Sequence, residues 1–177
     1  MCFPLILMRW PESLRVRELA IVNASPLIFL SKVDQLALLK LVATRIVVPH
    51  EVASEVCAKG DEDVTASAVR ASVEWLHILP PSPVPATIQA WDLGAGESAV
   101  LATAIDARNA VAVLDDSLGR KCAHTFGIET FGTLGLILLA KQRGHLSLAR
   151  PLLHQMRLNG MYLADAVIDR ALALVGE

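Results

Sequence analysis

The chain has 177 residues, enough for one domain with a sizeable core and hardly enough for two. Apolar residues make up 54% of it and charged residues 19%, a balance that excludes a disordered protein. The formal net charge of −2 excludes a global basic field that attracts nucleic acid, so any such contact needs a local patch.

Residues 1–18 are predicted to be an N-terminal extension that is poorly ordered. Their apolar run, "FPLILM", is too short to span a bilayer, and no basic segment precedes it as in a signal peptide. Three widely spaced cysteines, Cys2, Cys57 and Cys122, suit a reducing cytoplasm better than a disulfide framework. Because Cys122 and His124 lack a second pair of ligands, no zinc site is expected, and we predict a cytoplasmic protein without membrane contact.

Short β-branched runs alternate with helical patterns along residues 19–177, which we interpret as a single domain. Strands are predicted at "LAIVNA", "RIVVP", "VEWLHIL", "NAVAVLD" and, most weakly, "GIETF". The strands are apolar on both faces, which is typical of a parallel sheet covered by helices. The pattern therefore predicts an α/β fold with a central parallel sheet of four to five strands.

Helices are predicted between these strands and in the C-terminal tail. In "SPLIFLSK", Ser25 is the expected N-cap and Pro26 the first helical residue. Further helices are expected at "PHEVASEVCAKG", "GESAVLATAIDAR", "SLGRKCAHTFG" and "GTLGLILLAKQRG". From Ser147 onward the sequence favours two more helices. The second has an apolar stripe that must be buried, at Ala164, Ile168, Ala171, Leu172 and Val175.

Polar residues follow the first two predicted strands directly. Asn23 comes after the first, with Ser25 two positions further on. After the second, "PHEVASEV" places Glu51 and Glu55 one helical turn apart. In open parallel sheets, ligands bind beyond the carboxyl ends of the strands, so these side chains are candidates for a functional site.

Three more acidic residues belong to the same predicted edge of the sheet. Glu97 lies in the first turn of the helix that begins in "LGAGES", and Asp115 and Asp116 follow the fourth strand. Several oxygen ligands at one edge are what a hard cation such as Mg²⁺ or Mn²⁺ requires. Such an ion activates water for phosphodiester cleavage.

Each of these residues also has a simpler explanation. Glu97 is favoured by the helix dipole, and Asp116 or Ser117 is a suitable N-cap. Glu51 and Glu55 have the pattern of solvated helix charges, and Asn23 is suited to bonding the neighbouring loop. A shared site is the stronger interpretation because all of these positions fall at one predicted edge.

Rival catalytic patterns are weak or absent from the sequence. There is no G-x-S-x-G elbow, and the five histidines form no constellation with a nucleophile. Neither G-x-G-x-x-G after the first strand nor a Walker-type G-K-[ST] occurs. The two glycines of "LGAGES" leave a nucleotide- or phosphate-binding domain as a further, less favoured hypothesis.

Several long segments resemble one known family. "IVNASPLIFLSKVDQLALL", "IVVPHEVASEV", "LGAGESAVLATA", "VAVLDDSLGRKCAHTFGIETFGTLGLILLAKQRG" and "LLHQMRLNGMYLADAVIDRAL" resemble PIN-domain-like proteins related to VapC-type toxins, in the same order over most of residues 19–176. The resemblance implies a PIN-like three-layer sandwich with a helical C-terminal tail. It also implies a Mg²⁺- or Mn²⁺-dependent ribonuclease that a small antitoxin protein holds inactive.

The resemblance also implies roles for individual residues. Asn23 falls where active members have the first-strand aspartate, and Ser25 matches the hydroxyl residue that supports the metal site. The remaining acids of that site match Glu55, Glu97 and Asp116, with Asp115 as a substitute for Asp116. The implied catalytic residues are Asn23, Glu55, Glu97 and Asp116, and the implied metal ligands are Asn23, Ser25, Glu97, Asp115 and Asp116.

Asn23 leaves two functions open. Its carbonyl oxygen can bind a hard ion, but it removes a charge worth on the order of several kcal/mol beside a dication, and it cannot act as a base. The first interpretation is a metal-dependent ribonuclease with a weakened site and Arg120 or Lys121 near the phosphate. The second is a catalytically inactive module that binds RNA or protein.

The mean hydropathy of +0.49 is high for a monomer. It favours a surface that is covered in a homodimer or under an antitoxin helix.

Overall fold

The computed structural model describes residues 16–58, 60, 62–71, 74–107 and 109–177. Within these residues, the strands are β1 (Arg17–Val22), β2 (Ala43–Pro49), β3 (Leu76–Leu79), β4 (Ala110–Val113) and β5 (Glu129–Phe131). The helices are α1 (Ala24–Lys32), α2 (His50–Cys57), α3 (Val64–Arg70), α4 (Ala86–Gln89), α5 (Ala95–Asp106), α6 (Ser117–Thr125), α7 (Thr133–Gln142), α8 (Arg150–Leu158) and α9 (Asp165–Ala173).

The strands form one sheet in the order β3-β2-β1-β4-β5, and every pair is parallel. The α/β prediction with a central parallel sheet is therefore confirmed, and the weakest strand, "GIETF", does pair at the edge as β5. In the central strand β1, Ala20, Ile21 and Val22 are completely buried. Such runs, apolar on both faces, follow from helices flanking the sheet.

The start of α1 differs from its prediction. Asn23, and not Ser25, occupies the N-cap position, and the helix begins at Ala24. Pro26 therefore lies third in the helix instead of first, where its missing N–H still costs no helical bond. The prediction was wrong because the chain turns into the helix directly after β1, leaving no room for a loop.

Three elements were not predicted: a 3-10 helix at Leu36–Leu41, α3 and α4. The helix α3 is capped by Asp63, whose carboxylate accepts the N–H groups of Thr65 and Ala66. Its short "VTASAVR" pattern lacks the periodic apolar stripe that indicates a helix. The proline-rich connector at residues 80–85 has no regular structure, as expected.

Two helices do close the C-terminal part, as predicted. In α9 the stripe residues Ile168, Ala171 and Leu172 are buried in the same core as the sheet. Ala164 is exposed because it is the N-cap and not part of the packed face. The stripe is thus covered by the domain itself.

A carboxylate joins the end of this region to the start of α8. Glu177 accepts the N–H of Ala149 at 2.6 Å and the N–H of Arg150 at 3.1 Å, and it pairs with Lys141 at 3.5 Å. Burial raises the pKa of Glu177, but these hydrogen bonds and the charge of Lys141 outweigh it, so the pKa lies below its ordinary value. We call this arrangement the Glu177 clasp.

Some predictions concern parts of the chain that the structure does not describe. The proposed extension, residues 1–18, lies outside the described residues as far as residue 15. Lys59, Val73 and Arg108, one from each of three predicted elements, also lie outside them. Among the helices that are described, none is both long and apolar enough to cross a bilayer.

Candidate functional site

The candidate site lies at the carboxyl edge of the sheet, beyond the ends of β1 and β4. The backbone N–H of Asn23 donates to the carbonyl of Val113 at 2.9 Å and so ties the ends of these two strands together. The chain runs from β1 to β2 on one side and returns to β4 on the other side of β1. Such a reversal of strand order is where open α/β sheets place their ligands.

Asn23 is a buried residue at the N-terminus of α1 whose side chain does not cap the helix. It is only 4% exposed and stands at the N-cap of α1, yet its side chain makes no capping hydrogen bond. Within the described parts of the chain, that side chain has no hydrogen-bond partner. The amide nevertheless keeps some contact with solvent, because among the described residues only Arg17 Nε is a fully buried side-chain nitrogen or oxygen without a hydrogen-bond partner. The Asn23 side chain is therefore available to a ligand.

Glu55 meets Asn23 across a glycine at the start of α5. Asn23 Oδ1 and Glu55 Oε2 each lie 3.2 Å from the point where a Cβ on Gly96 would stand, as does a methyl carbon of Val52. The two oxygens are therefore at most twice that distance apart. Glu55 is exposed and, as far as the structure describes the chain, accepts no hydrogen bond.

Glu97 and Asp116 form a second pair, around Gly119 of α6. Asp116 Oδ2 lies 3.5 Å and Glu97 Cγ 3.8 Å from the position of a Cβ on Gly119. The simpler explanations of both residues hold as well. Glu97 Oε2 accepts the N–H of Gly94 at 2.8 Å, and Asp116 Oδ2 caps α6 by accepting the N–H of Gly119 at 2.6 Å.

These capping bonds leave one oxygen of Glu97 and one oxygen of Asp116 without a hydrogen bond in the described part of the chain. Each bond uses one oxygen of its carboxylate, and no described residue donates to the second oxygen of Glu97 or of Asp116. Gly96 and Glu97 are consecutive in α5, so both pairs lie along the start of this helix. Four elements, α1, α2, α5 and α6, thus each bring one oxygen-bearing side chain to this edge.

Asp115 points to a different partner. Its Oδ1 accepts the N–H of Thr133 at 2.7 Å, and its Oδ2 accepts the Thr133 hydroxyl at 2.6 Å. Burial raises the pKa of Asp115 above its ordinary value, although the hydrogen bonds from Thr133 and the charge of Arg120 act in the opposite direction. Both of its oxygens are therefore occupied at the N-terminus of α7.

The edge falls short of a fully acidic metal site. Among the side chains that the structure describes, no three His, Cys, Asp or Glu residues come together as a metal site. Ser25 lies half-buried in the first turn of α1, and no described contact joins it to either pair; Glu51 also makes none. The metal ligands named from the sequence remain predictions, and Asn23 brings an amide and not a carboxylate to this edge.

The residues that sequence reasoning missed are mainly glycines. Gly96 and Gly119 let side chains approach the helix backbone, and a Cβ on Gly119 would lie only 2.7 Å from Leu114 Cδ1. A signal was present, because glycine inside a helix costs about 1 kcal/mol relative to alanine and so indicates close contact. The partnership of Thr133 with Asp115 had no signal, since the residues are far apart in the chain.

The chain matches the profile of the PIN domain over residues 19–177 and therefore belongs to the PIN-domain family. The all-parallel sheet flanked by helices is in agreement with this membership. No curated protein matches the chain.

Proposed function

We propose that this protein is a PIN-domain endoribonuclease that depends on a divalent cation and has a weakened cation site. The observation that carries the proposal is the buried amide of Asn23 beside the carboxylate of Glu55, at the topological switch point of the sheet. Glu97 and Asp116, each with one oxygen that accepts no hydrogen bond from a described residue, support the proposal from the same edge of the sheet.

The donor set fits a hard cation in kind. Amide and carboxylate oxygens are the ligands of Mg²⁺ and Mn²⁺, and no soft donor lies among these residues. Asn23, Glu97 and Asp116 would hold the ion, and Glu55 would lie beside it. When bound, the ion supplies an activated water and stabilises the charge that develops on the phosphate.

The residues of the chain have separable roles in this proposal. The bonds from Gly94 to Glu97 and from Gly119 to Asp116 fix the orientation of each carboxylate and leave one oxygen directed elsewhere. Glu55 is the candidate general base, because it is exposed and no described residue occupies its oxygens. Asn23 cannot take a proton and contributes an oxygen only.

A toxin role, with a small antitoxin protein as partner, belongs to the same proposal and rests on the resemblance to VapC-type toxins. A covered surface, in a homodimer or under the antitoxin, agrees with apolar side chains that lie open in the C-terminal part. Tyr162 is 93% exposed and Leu158 75% exposed.

One observation favours a second function, a catalytically inactive module that binds RNA or protein. No group of three acidic side chains forms among the described residues, and Asn23 removes the charge that would complete one. In that case the carboxylates at the edge serve as helix caps and recognition groups.

Manganese binding and RNA cleavage together distinguish these functions. We expect the wild-type protein to bind Mn²⁺ in a calorimetric titration and to cleave single-stranded RNA, and we expect Asp116→Asn to lose cleavage by about a hundredfold. Asparagine preserves the cap of α6, because it accepts the same N–H.

Asp63→Asn is the matched control, since Asp63 caps α3 in the same way away from the sheet edge. Its cleavage rate should equal that of the wild type. Equal cleavage by Asp116→Asn would exclude this site, whereas RNA binding without Mn²⁺ binding or cleavage would establish the inactive module.

A further inference from the structure

Arg120, on α6, is a cation at the rim of the acidic edge, and no described residue lies within hydrogen-bonding distance of its guanidinium. Its Nη1 lies 3.6 Å from the point where a Cβ on Gly132 would stand, and Asp115 Oδ1 lies 3.1 Å from that point. The guanidinium and the carboxylate therefore approach the same glycine. Their charges attract, but no ion pair within 4.0 Å forms between them.

The donors of this arginine are unused in the described part of the chain. Its guanidinium donates no hydrogen bond there, and the residue is exposed. Other arginines differ: Arg17 binds Asn109 and Glu129, Arg150 binds Asp169, and Arg157 binds Asp165. Arg120 is thus positioned by charge and left with open donors.

Asp115 is suited to hold the arginine in place. Both of its oxygens are fixed by Thr133, so the carboxylate cannot turn toward the acidic pairs. Gly132 keeps the space between the two groups free, because a Cβ there would lie only 3.1 Å from Asp115 Oδ1. The backbone of Arg120 is fixed as well, since its N–H donates to the carbonyl of Asp116 at 3.1 Å.

The negative charge of the sheet edge means that an RNA strand needs a nearby cation to bind there. Glu55, Glu97 and Asp116 repel a polyanion, and the chain as a whole has no positive field to offset them. A guanidinium remains charged at all relevant pH values and binds two phosphate oxygens at once through its planar fork.

We propose that Arg120, positioned by Asp115 and Thr133, binds a backbone phosphate of single-stranded RNA and so places the chain of the substrate across the acidic edge. This inference rests on the proposed function, because it concerns the substrate of the same site. It assigns Asp115 a positioning role toward Arg120 in place of the predicted metal contact.

Binding of a labelled single-stranded RNA, followed by fluorescence anisotropy in EDTA over a salt series, tests the inference without any cleavage. Arg120→Ala should weaken binding about tenfold and lower the slope of log K against log salt by about 0.7, the value for one phosphate contact. Arg120→Lys should keep the slope but not the full affinity.

Asp115→Asn makes the test sharper, because two explanations predict opposite signs. If charge alone mattered, removing an anion would tighten RNA binding. If Asp115 positions Arg120, the variant binds more weakly than the wild type. Arg45→Ala is the matched control: Arg45 is an exposed arginine near the start of β2, at the opposite edge of the sheet, and its loss should change affinity by less than about twofold.

Each outcome has a defined meaning. Binding by Arg120→Ala equal to that of the wild type overturns the inference and leaves the proposed ribonuclease intact. Tighter binding by Asp115→Asn overturns the positioning role. If the wild type binds RNA but never cleaves it, and Arg120→Ala weakens that binding, the proposed catalysis is overturned and the role of Arg120 is supported. A wild type that binds no RNA at low salt overturns both.

Discussion

Carboxylates meet the N-termini of helices in two regions of this protein, the carboxyl edge of the sheet and the Glu177 clasp. In the clasp, the side chain of Glu177 is 8% exposed, and its two oxygens accept the N–H groups of Ala149 and Arg150. At the sheet edge, one oxygen of Glu97 and one of Asp116 accept a backbone N–H, and the other oxygen of each accepts no hydrogen bond from a described residue.

The difference shows how structural and functional acids can be separated. A carboxylate with both oxygens bound by protein donors stabilises the fold and offers fewer free lone pairs to a ligand. Asp115, held by Thr133 at both oxygens, belongs with Glu177 in this respect although it stands beside Asp116. Unused acceptors, more than acidity alone, mark the candidate site.

Asn23→Asp should have the largest effect and would sharpen the contrast. A new carboxylate beside Glu55 raises the affinity for Mn²⁺ by about a hundredfold, because it restores a full charge next to the ion. Without metal the like charges repel, so the melting temperature in EDTA should fall and recover with Mn²⁺.

Calorimetry and thermal melting check both effects. Asn159→Asp adds the same charge at the end of α8, far from the edge, and should leave Mn²⁺ affinity unchanged. An equal gain of Mn²⁺ affinity in both variants would mean that metal binding depends on the net charge of the protein and not on this site.

Gly96→Ala should have the next largest effect. The new methyl group would stand 3.2 Å from Asn23 Oδ1 and from Glu55 Oε2 and would displace both. We expect cleavage to fall about tenfold while the free energy of unfolding changes by about 1 kcal/mol or less, since the gain in helix propensity offsets the crowding. Kinetic assays and urea denaturation measure the two quantities.

Unchanged cleavage by Gly96→Ala would show that the arrangement of Asn23 and Glu55 around Gly96 is not needed for the reaction. Ala99→Gly is a useful counterpart in the same helix, because it lowers stability without touching either oxygen.

Glu177→Gln should alter stability and leave the site alone. The loss of charge weakens the bonds to Ala149 and Arg150 and the pairing with Lys141, which we expect to lower the free energy of unfolding by about 1 kcal/mol at neutral pH. RNA cleavage should stay at the wild-type rate. A loss of cleavage at full stability would break the proposed division between the two regions.

The clasp also has a pH signature. The folded pKa of Glu177 is lowered, so its contribution is present above the unfolded pKa, about 4.3, and is lost as the pH falls through the folded value. The stability difference between wild type and Glu177→Gln should therefore shrink in acid, in denaturation curves recorded from neutral pH downward.

Asp115→Asn should give the smallest effect, with the opposite pH dependence. Because the folded pKa of Asp115 is raised, its contribution is fully present below the unfolded pKa, about 3.9, and is lost as the pH rises through the folded value. The free energy of unfolding of the variant should thus rise relative to that of the wild type from about pH 4 upward. Denaturation curves of both proteins over that pH range measure the difference. If burial does not raise the pKa of Asp115, the two stabilities will change with pH in parallel.

Much of the fold was predictable because it follows from local patterns. The fully apolar runs of β1, β2 and β4 indicated buried parallel strands, and the strand edge β5 was found from a short β-branched run. The helices α3 and α4 escaped notice because they are short and have no apolar stripe, so that tertiary contacts decide them.

The candidate site was predictable in outline only. The ends of parallel strands meet at one edge, so Asn23, Glu55, Glu97 and Asp116 could be grouped in advance. Which oxygens remain unused depends on bonds such as that of Gly119 to Asp116, and the attachment of Asp115 to Thr133 depends on how β4 and α7 pack. Neither is encoded in a local pattern.

The bond between the N–H of Asn23 and the carbonyl of Val113 has an evolutionary consequence. Because the backbone and not the side chain joins β1 to β4, the residue at this position can change without loosening the junction. Asparagine and aspartate codons differ by a single base. A lineage with this architecture therefore stands one nucleotide away from gaining or losing a carboxylate at its switch point, while the scaffold around it stays the same.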